Sequence, residues 1–295
     1  MIHITKADDA IEVKQITIAL YAPPGTGKTS TAFTATAPLL FDFDSGAYRS
    51  QFRKDTVQIG SWSEVEAMTE DDFASYKTVA VDTIGRALDA LTAHLIAKNP
   101  KFKGYGGALT LQGYGALKSS FIGWLKLLHS FGKDVILIAH MDEQRDGDNT
   151  IERLDVQGGS KNEIYKSADA MGRIQLVAGK KFLNFNPSDT AFGKNPAQLS
   201  AIPIPDFHDE PEWFGTVIER IKTALNESSA TASAKQFILE EFRKTFAGLN
   251  TVQDFNAKVV ELGNADPAVK KLLVAAGTAK GYQFDGKSKS FKAAA

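Results

Sequence analysis

The residues best suited to chemistry lie in Ala22-Pro23-Pro24-Gly25-Thr26-Gly27-Lys28-Thr29. Polyphosphate is bound by several backbone N–H groups converging on it, so side chains must be absent where the loop wraps, and Gly25 and Gly27 permit that approach. Residues Pro24 through Ser30 then form the cradle. Lys28 would reach the β- and γ-phosphates, and the Thr29 hydroxyl would join a Mg²⁺ ion bridging the same groups, a hard cation among hard oxygen ligands. The first position of the common GxxxxGK[ST] pattern is Ala22, a departure that falls where a strand should end. The plain alternative is a Gly-Pro turn before an ordinary helix.

Three more groups could complete a nucleotide site, all at the ends of apolar runs. Leu39-Leu40-Phe41 leads into Asp42-Phe43-Asp44, Thr78-Val79-Ala80-Val81 into Asp82, and Asp134 to Ala139 into His140. A strand holds such a residue rigidly, and Asp82 has the Walker B position, where a carboxylate orients the water shell of Mg²⁺ beside Thr29.

The elements that must position these groups follow from spacing. Ile16 to Tyr21 reads as the strand before the loop, and the small residues Ser30 to Ala37 as the helix after it. A short acidic helix is expected over 61–72, and helices over 84–98, around Leu117 to Leu128, and over 212–226. Residues 173–177 and 181–185 read as a hairpin. Alternating strands and helices with acids at strand ends predict an α/β fold, a doubly wound or RecA-like P-loop core with a mainly parallel sheet and its site along the carboxyl edge. We expect this core over 1–226, a linker over 227–234, and a small helical C-terminal unit over 235–295.

A composition with 43% hydrophobic residues and a formal net charge of −1 excludes a globally basic nucleic-acid binder. There is no cysteine, hence no disulfide or thiolate site. No apolar run is long enough to cross a membrane, and no leader pattern opens the chain, so a cytoplasmic location without membrane partners is expected. Local charge is less even. Between Ala90 and Lys133 stand Lys98, Lys101, Lys103, Lys118, Lys126 and Lys133 with no carboxylate, around a glycine-rich stretch, 99–115, that also holds Phe102, Tyr105 and Tyr114. Lysines for phosphates and aromatics for bases suit a single-strand channel, although the same lysines would equally solvate helices and the tyrosines pack on a core. Met141 to Lys161 reads as a second, polar loop carrying Arg145, Arg153 and Lys161.

Taken together, APPGTGKT, LLFDFDSG, TVAVDT and VILIAH resemble the phage ATP-binding proteins with a RecA-like core, the family that includes the single-strand-annealing recombinase ATPases of bacteriophages. The resemblance covers about residues 1–226. It implies ATP and Mg²⁺ as cofactors and ATP hydrolysis as the activity. Lys28, Asp44, Asp82 and His140 would be the catalytic set, with Asp44 activating water, where recombinases usually have Glu, and His140 sensing the γ-phosphate. It also implies DNA-binding loops in the slots of 99–115 and 141–161, so that Lys101, Lys103, Tyr105, Tyr114, Arg145, Arg153 and Lys161 become contacts to single-stranded DNA. Self-association into a ring or filament is implied as well, with Arg173, Lys180 or Lys181 reaching a neighbouring subunit's γ-phosphate, and phage or host recombination proteins as further partners. Two other functions compete with a DNA-dependent ATPase of recombination or replication. One is a nucleotide-switched loader whose product is a protein contact; the other is a metabolite kinase, disfavoured because arginines are few and unclustered.

Overall fold

The computed structural model describes residues 4–6, 9–50, 52–147, 149–156 and 160–293. In chain order its elements are β1 (Thr17–Ala22), α1 (Lys28–Ala32), β2 (Pro38–Asp42), β3 (Thr56–Gln58), α2 (Trp62–Ala67), β4 (Thr78–Asp82), α3 (Ile84–Lys98) and α4 (Leu111–Ser130). There follow β5 (Asp134–Asp146), β6 (Asn149–Leu154), α5 (Ser160–Ser167), β7 (Ala170–Val177), β8 (Lys180–Asn184), β9 (Ile202–Pro203), α6 (Trp213–Ala247), α7 (Val252–Leu262), α8 (Pro267–Ala279), β10 (Tyr282–Asp285) and β11 (Ser290–Ala293).

The main sheet runs β3-β2-β4-β5-β1-β7-β8-β9, with β6 on β5. From β3 to β7 neighbouring strands are parallel, while β8, β9 and β6 are antiparallel additions. In this order β5 separates β1 from β4. Both faces of the parallel part are covered, which is why its strands read as nearly unbroken apolar runs. Strand alternation divides them: Ala19, Tyr21, Phe41, Val79, Val81 and Leu137 pack with Leu88, Leu91, Phe121 and Leu125 of α3 and α4. Ile18, Leu20, Leu40, Ala80 and Ile138 pack on the other side with Phe33 and with Phe214, Val217, Ile218 and Ile221 of α6.

The start of α6 docks closely on the segment after α1. Phe214 N–H donates to Thr34 Oγ1 at 3.2 Å and Gly215 N–H to the Thr34 carbonyl at 3.0 Å, so orphan amides of the helix's first turn find acceptors. A Cβ on Gly215 would lie 2.5 Å from Thr36 Oγ1, so only glycine permits this approach.

Two compact units divide the chain, one formed by 13–225 and the other by the N-terminal residues up to Glu12 with 226–295. Residues 227–234, expected as a linker, lie inside α6. Ala-rich and Ser-rich composition there suggested flexibility, but it contains no Gly or Pro to break the helix. In the second unit Phe246, Phe255, Val269, Leu273 and Phe291 form the core. Thr251 and Asp254 make a reciprocal capping box at α7, and Asp266 caps α8 with Pro267 at its first turn.

Both expected loops are shorter than their composition suggested. Tyr114 and the flanking Gly113 and Gly115 belong to α4, whose N-cap Thr110 accepts from Gly113 N–H. A Cβ on Gly113 would come within 2.9 Å of the Leu109 side chain and 3.0 Å of the Phe102 carbonyl, so this glycine serves close packing rather than loop adaptability. Residues 141–146 and 149–154 pair as the antiparallel β5–β6 hairpin, with Asp142 opposite Arg153 and Gln144 opposite Ile151. Polar residues on both faces had hidden it.

Glycine's two roles give opposite predictions. Gly215→Ala should lower stability by about 1–3 kcal/mol through overpacking. Gly123→Ala, in the exposed interior of α4 with open space where a Cβ would go, should raise it by about 0.5–1 kcal/mol. Denaturant midpoints of the two variants check both signs, and a neutral Gly215→Ala would refute the close docking of α6.

Candidate nucleotide site

The carboxyl ends of β1, β5, β4 and β2 bring four sequence segments to one edge. Ala22 lies level with His140, Asp82 with Ile138, and Asp42 with Asp82. Beyond β1 the loop turns through Gly25 (φ 76°) and Gly27 (φ 100°), left-handed conformations that glycine adopts without strain, and α1 starts at Lys28. A cleft of about 920 Å³ opens here. Pro24 through Thr31 form one part of its lining, with Asp44, Asp82 and His140 nearby and Lys180 and Lys181 contributed by the β7–β8 hairpin.

Lys28 is buried, and its ammonium donates to the carbonyls of Ala22 and Pro23 at 2.9 Å each. Burial draws its pKa down from 10.5 to about 8, against the opposing pull of Asp82 and Asp44. The same ammonium is 3.5 Å from His140 Nδ1. The ring's other nitrogen, Nε2, lies 3.6 Å from Asp44 Oδ2. Asp44 Oδ1 faces Arg86 Nε at 3.5 Å. Lys28, His140, Asp44 and Arg86 thus make a chain of polar groups drawn from four elements.

Thr29 Oγ1 donates to Asp82 Oδ2 at 2.6 Å. Burial pushes the Asp82 carboxyl above the usual range, Asp44 and Asp42 add to the rise, and the Thr29 hydrogen bond and Lys28 oppose it. Asp82 is therefore a carboxylate short of positive charge beside a hydroxyl, a donor pair that fits Mg²⁺. Among the described residues no cluster of three or more His, Cys, Asp or Glu could hold a metal alone. An ion held by Thr29 and Asp82 would take its remaining oxygens from phosphate and water, the usual habit of Mg²⁺.

The two acids after β2 have separate roles. Asp42 is buried and accepts from the Gly46 and Ala47 N–H groups at 3.0 and 2.9 Å, which builds the turn. Asp44 is left facing the cleft. Ser30 of the expected cradle meets Ser50 at 2.9 Å, and Thr26 Oγ1 donates to the Pro23 carbonyl. Arg86 escaped the sequence reading, although its place in the first turn of α3, next to the end of β4, was a usable signal. Phe52 and the run from Pro203 to His208 also line the cleft, and nothing local in their sequence announces it.

The other expected site residues are scattered. Arg173 is buried and pairs with Glu152 at 2.7 Å within its own chain, so it is not displayed for a neighbour. The run of six lysines does not form one positive surface: Lys98 pairs with Glu66, Lys118 with Glu163, and Lys133 is buried, donating to the carbonyls of Phe73 and Tyr76. Lys101, Lys103 and Lys126 stay exposed, as do Arg145 and the wholly exposed Tyr105. Tyr114 is less exposed, at 42%. Arg153 stacks over the Phe192 ring, 4.2 Å from its centroid. Lys161 lies in α5, and its side chain falls outside the described residues.

Residues 14–197, more than half of the chain, match the family model described as an AAA domain. No curated protein matches. Among solved structures, a KaiC-like protein from the hyperthermophilic archaeon Pyrococcus horikoshii OT3 matches 66% of this chain and 91% of its own at 13% identity. The TM-score of that match is 0.35.

Two predictions test the site. Between about pH 8 and 10.5 the unfolded chain holds a proton on Lys28 that the folded chain has shed, so this group makes stability rise with pH across that window. Lys28→Met should remove the increment. Unfolding of both proteins by denaturant at either end of the window measures it as a difference, and an unchanged difference would contradict the buried ammonium. Asp44→Asn should preserve nucleotide binding and slow hydrolysis by about 100-fold, the usual contribution of a positioned base or water-orienting group. Loss of binding in that variant would show that Asp44 serves the ground state instead.

Proposed function

The chain belongs to the AAA domain family and is a P-loop ATPase, and from that premise we propose that it is an oligomeric, Mg·ATP-dependent ATPase that binds single-stranded DNA in phage recombination or replication. The nucleotide half of this reading rests on the cleft. Backbone amides of the glycine loop and Lys28 would hold the phosphates, and Thr29 with Asp82 would hold Mg²⁺, whose chemistry is to neutralise phosphate charge. Asp44 orients a water molecule for in-line attack. Its position between Arg86 and His140 limits the freedom of a short side chain, which is how an aspartate can serve where a longer glutamate is common. His140, 3.5 Å from the Lys28 ammonium and 3.6 Å from Asp44, would register whether the terminal phosphate is present.

The observation that carries the DNA half is the segment between α3 and α4. Tyr105 is fully exposed between Lys101 and Lys103 on one side and Gly106 and Gly107, both at positive φ, on the other. An aromatic ring of this size held entirely in water has no packing role, whereas stacking on a base would give it one. None of these residues lines the nucleotide cleft. The second reading, a nucleotide-switched loader, draws support from Phe237, Ile238 and Val260, apolar side chains exposed on the C-terminal unit where a protein partner could seat.

ATP turnover with and without single-stranded DNA separates the readings, because only the first predicts strong stimulation. Within it, Lys101→Ala with Lys103→Ala should weaken DNA binding regardless of sequence and reduce the salt slope by about 0.7 per lost phosphate contact. Tyr105→Ala should cost about 1–3 kcal/mol with little change in slope, since stacking releases no counterions. Unaltered DNA affinity in both variants at moderate salt would leave this segment without a DNA role.

A further inference from the structure

The β7–β8 hairpin closes through Ala178 and Gly179, both at positive φ (49° and 77°), a two-residue turn whose twist matches the strands it joins. Lys181 follows on β8, and its backbone is held from both sides. It pairs with Leu176 of β7, and its carbonyl accepts from Ile204 N–H at 2.9 Å. Leu183, two residues on, is fully buried. Lys181 therefore has a fixed base, unlike a lysine on a free loop, and only its stem is mobile.

That stem carries the ammonium to the phosphate loop of the same chain. A Cβ built on Gly27 would lie 3.4 Å from Lys181 Nζ. The Lys181 ammonium makes no hydrogen bond or ion pair with any described residue, and Lys181 lines the cleft with Lys180 and Gly179. A lone ammonium over a loop built to collect anionic oxygens is a cation awaiting an anion. Arg173, by contrast, is already neutralised by Glu152.

We propose that Lys181 acts in cis, as a second phosphate-binding cation at its own chain's nucleotide site, so that one subunit supplies both Lys28 and the outer charge on the triphosphate. The inference deepens the ATPase reading and depends on it. In assemblies that place nucleotide between subunits, the outer cation comes from a neighbour; here the hairpin provides it without one. Two consequences follow. Phosphate binding is complete in a single subunit, and self-association, where it occurs, does not have to contribute this charge.

The test uses the full chain with Mg·ATP. Lys181→Gln keeps most of the stem and removes the charge, and should weaken ATP binding by about 10- to 100-fold, the range for one charge-assisted contact. Lys181→Arg should recover most of it, and thermal melting checks that both variants fold. Lys181→Gln is then mixed with Lys28→Ala. If Lys181 serves its own site, no mixed site contains both cations and turnover stays at the sum of the separate variants. Recovery of turnover on mixing would overturn the proposal, because it requires Lys181 of one subunit to act at Lys28 of another. Wild-type affinity in Lys181→Gln would overturn it too. Failure of the unmodified chain to bind ATP would instead sink the nucleotide reading itself, and Lys181 with it.

Discussion

The hydrogen bond from Thr29 to Asp82 is the constraint around which the site is arranged. Asp82 ends β4, whereas Thr29 lies in α1 and is reached from β1, and β5 lies between β1 and β4. Adjacent strands are separated by about 4.8 Å, so the chain leaving β1 must cross the end of β5 to deliver Thr29 to β4. The glycine loop makes that crossing. The residue it passes over, His140, is then necessarily close to Lys28, and a large apolar side chain at that position would block the route.

Crossing the edge in this way gathers charges that would otherwise be dispersed. Lys28 and Asp82 are both buried, and their pKa values are displaced in the directions expected when burial penalises each charge: the ammonium down, the carboxyl up. Neither is fully satisfied by protein. Lys28 rests on backbone carbonyls and Asp82 on a hydroxyl, neutral partners that a phosphate oxygen and a divalent cation would improve upon. An incompletely compensated site of this kind gains affinity from the mismatch it relieves.

The sequence made the floor of the site legible because strands buried on both faces announce themselves as apolar runs, and the polar residue that ends each run marks the carboxyl edge. Strand β4 and helix α3 are found at their expected residues for this reason. The walls were less legible. Phe207 and His208 reach the cleft only through the path of the chain after β9, and β3 and β9 are too short to leave a periodic pattern. Charge was the most misleading signal: Lys133 sits in a run of lysines in the sequence but spends its ammonium on two buried carbonyls. Linear charge density does not know which lysines the fold will need for itself. For Lys181, the family resemblance implied a reach to a neighbouring subunit, whereas the pairing of β8 with β7 and β9 sets it beside Gly27 of its own chain.

Strand β5 has a mechanical property of its own. It continues without interruption from Asp134 through His140 to Asp146, leaving the sheet to become one arm of the β5–β6 hairpin. At about 3.3 Å per residue, Arg145 stands roughly 16 Å beyond His140 on the same ladder. A paired strand has no soft joint over such a length, and Asp155, at the foot of the returning arm, donates its N–H to the His140 carbonyl. The hairpin and the strand under the cleft are therefore one stiff lever, and any rigid rotation of it about His140 would move Arg145 farther than the residues that line the cleft.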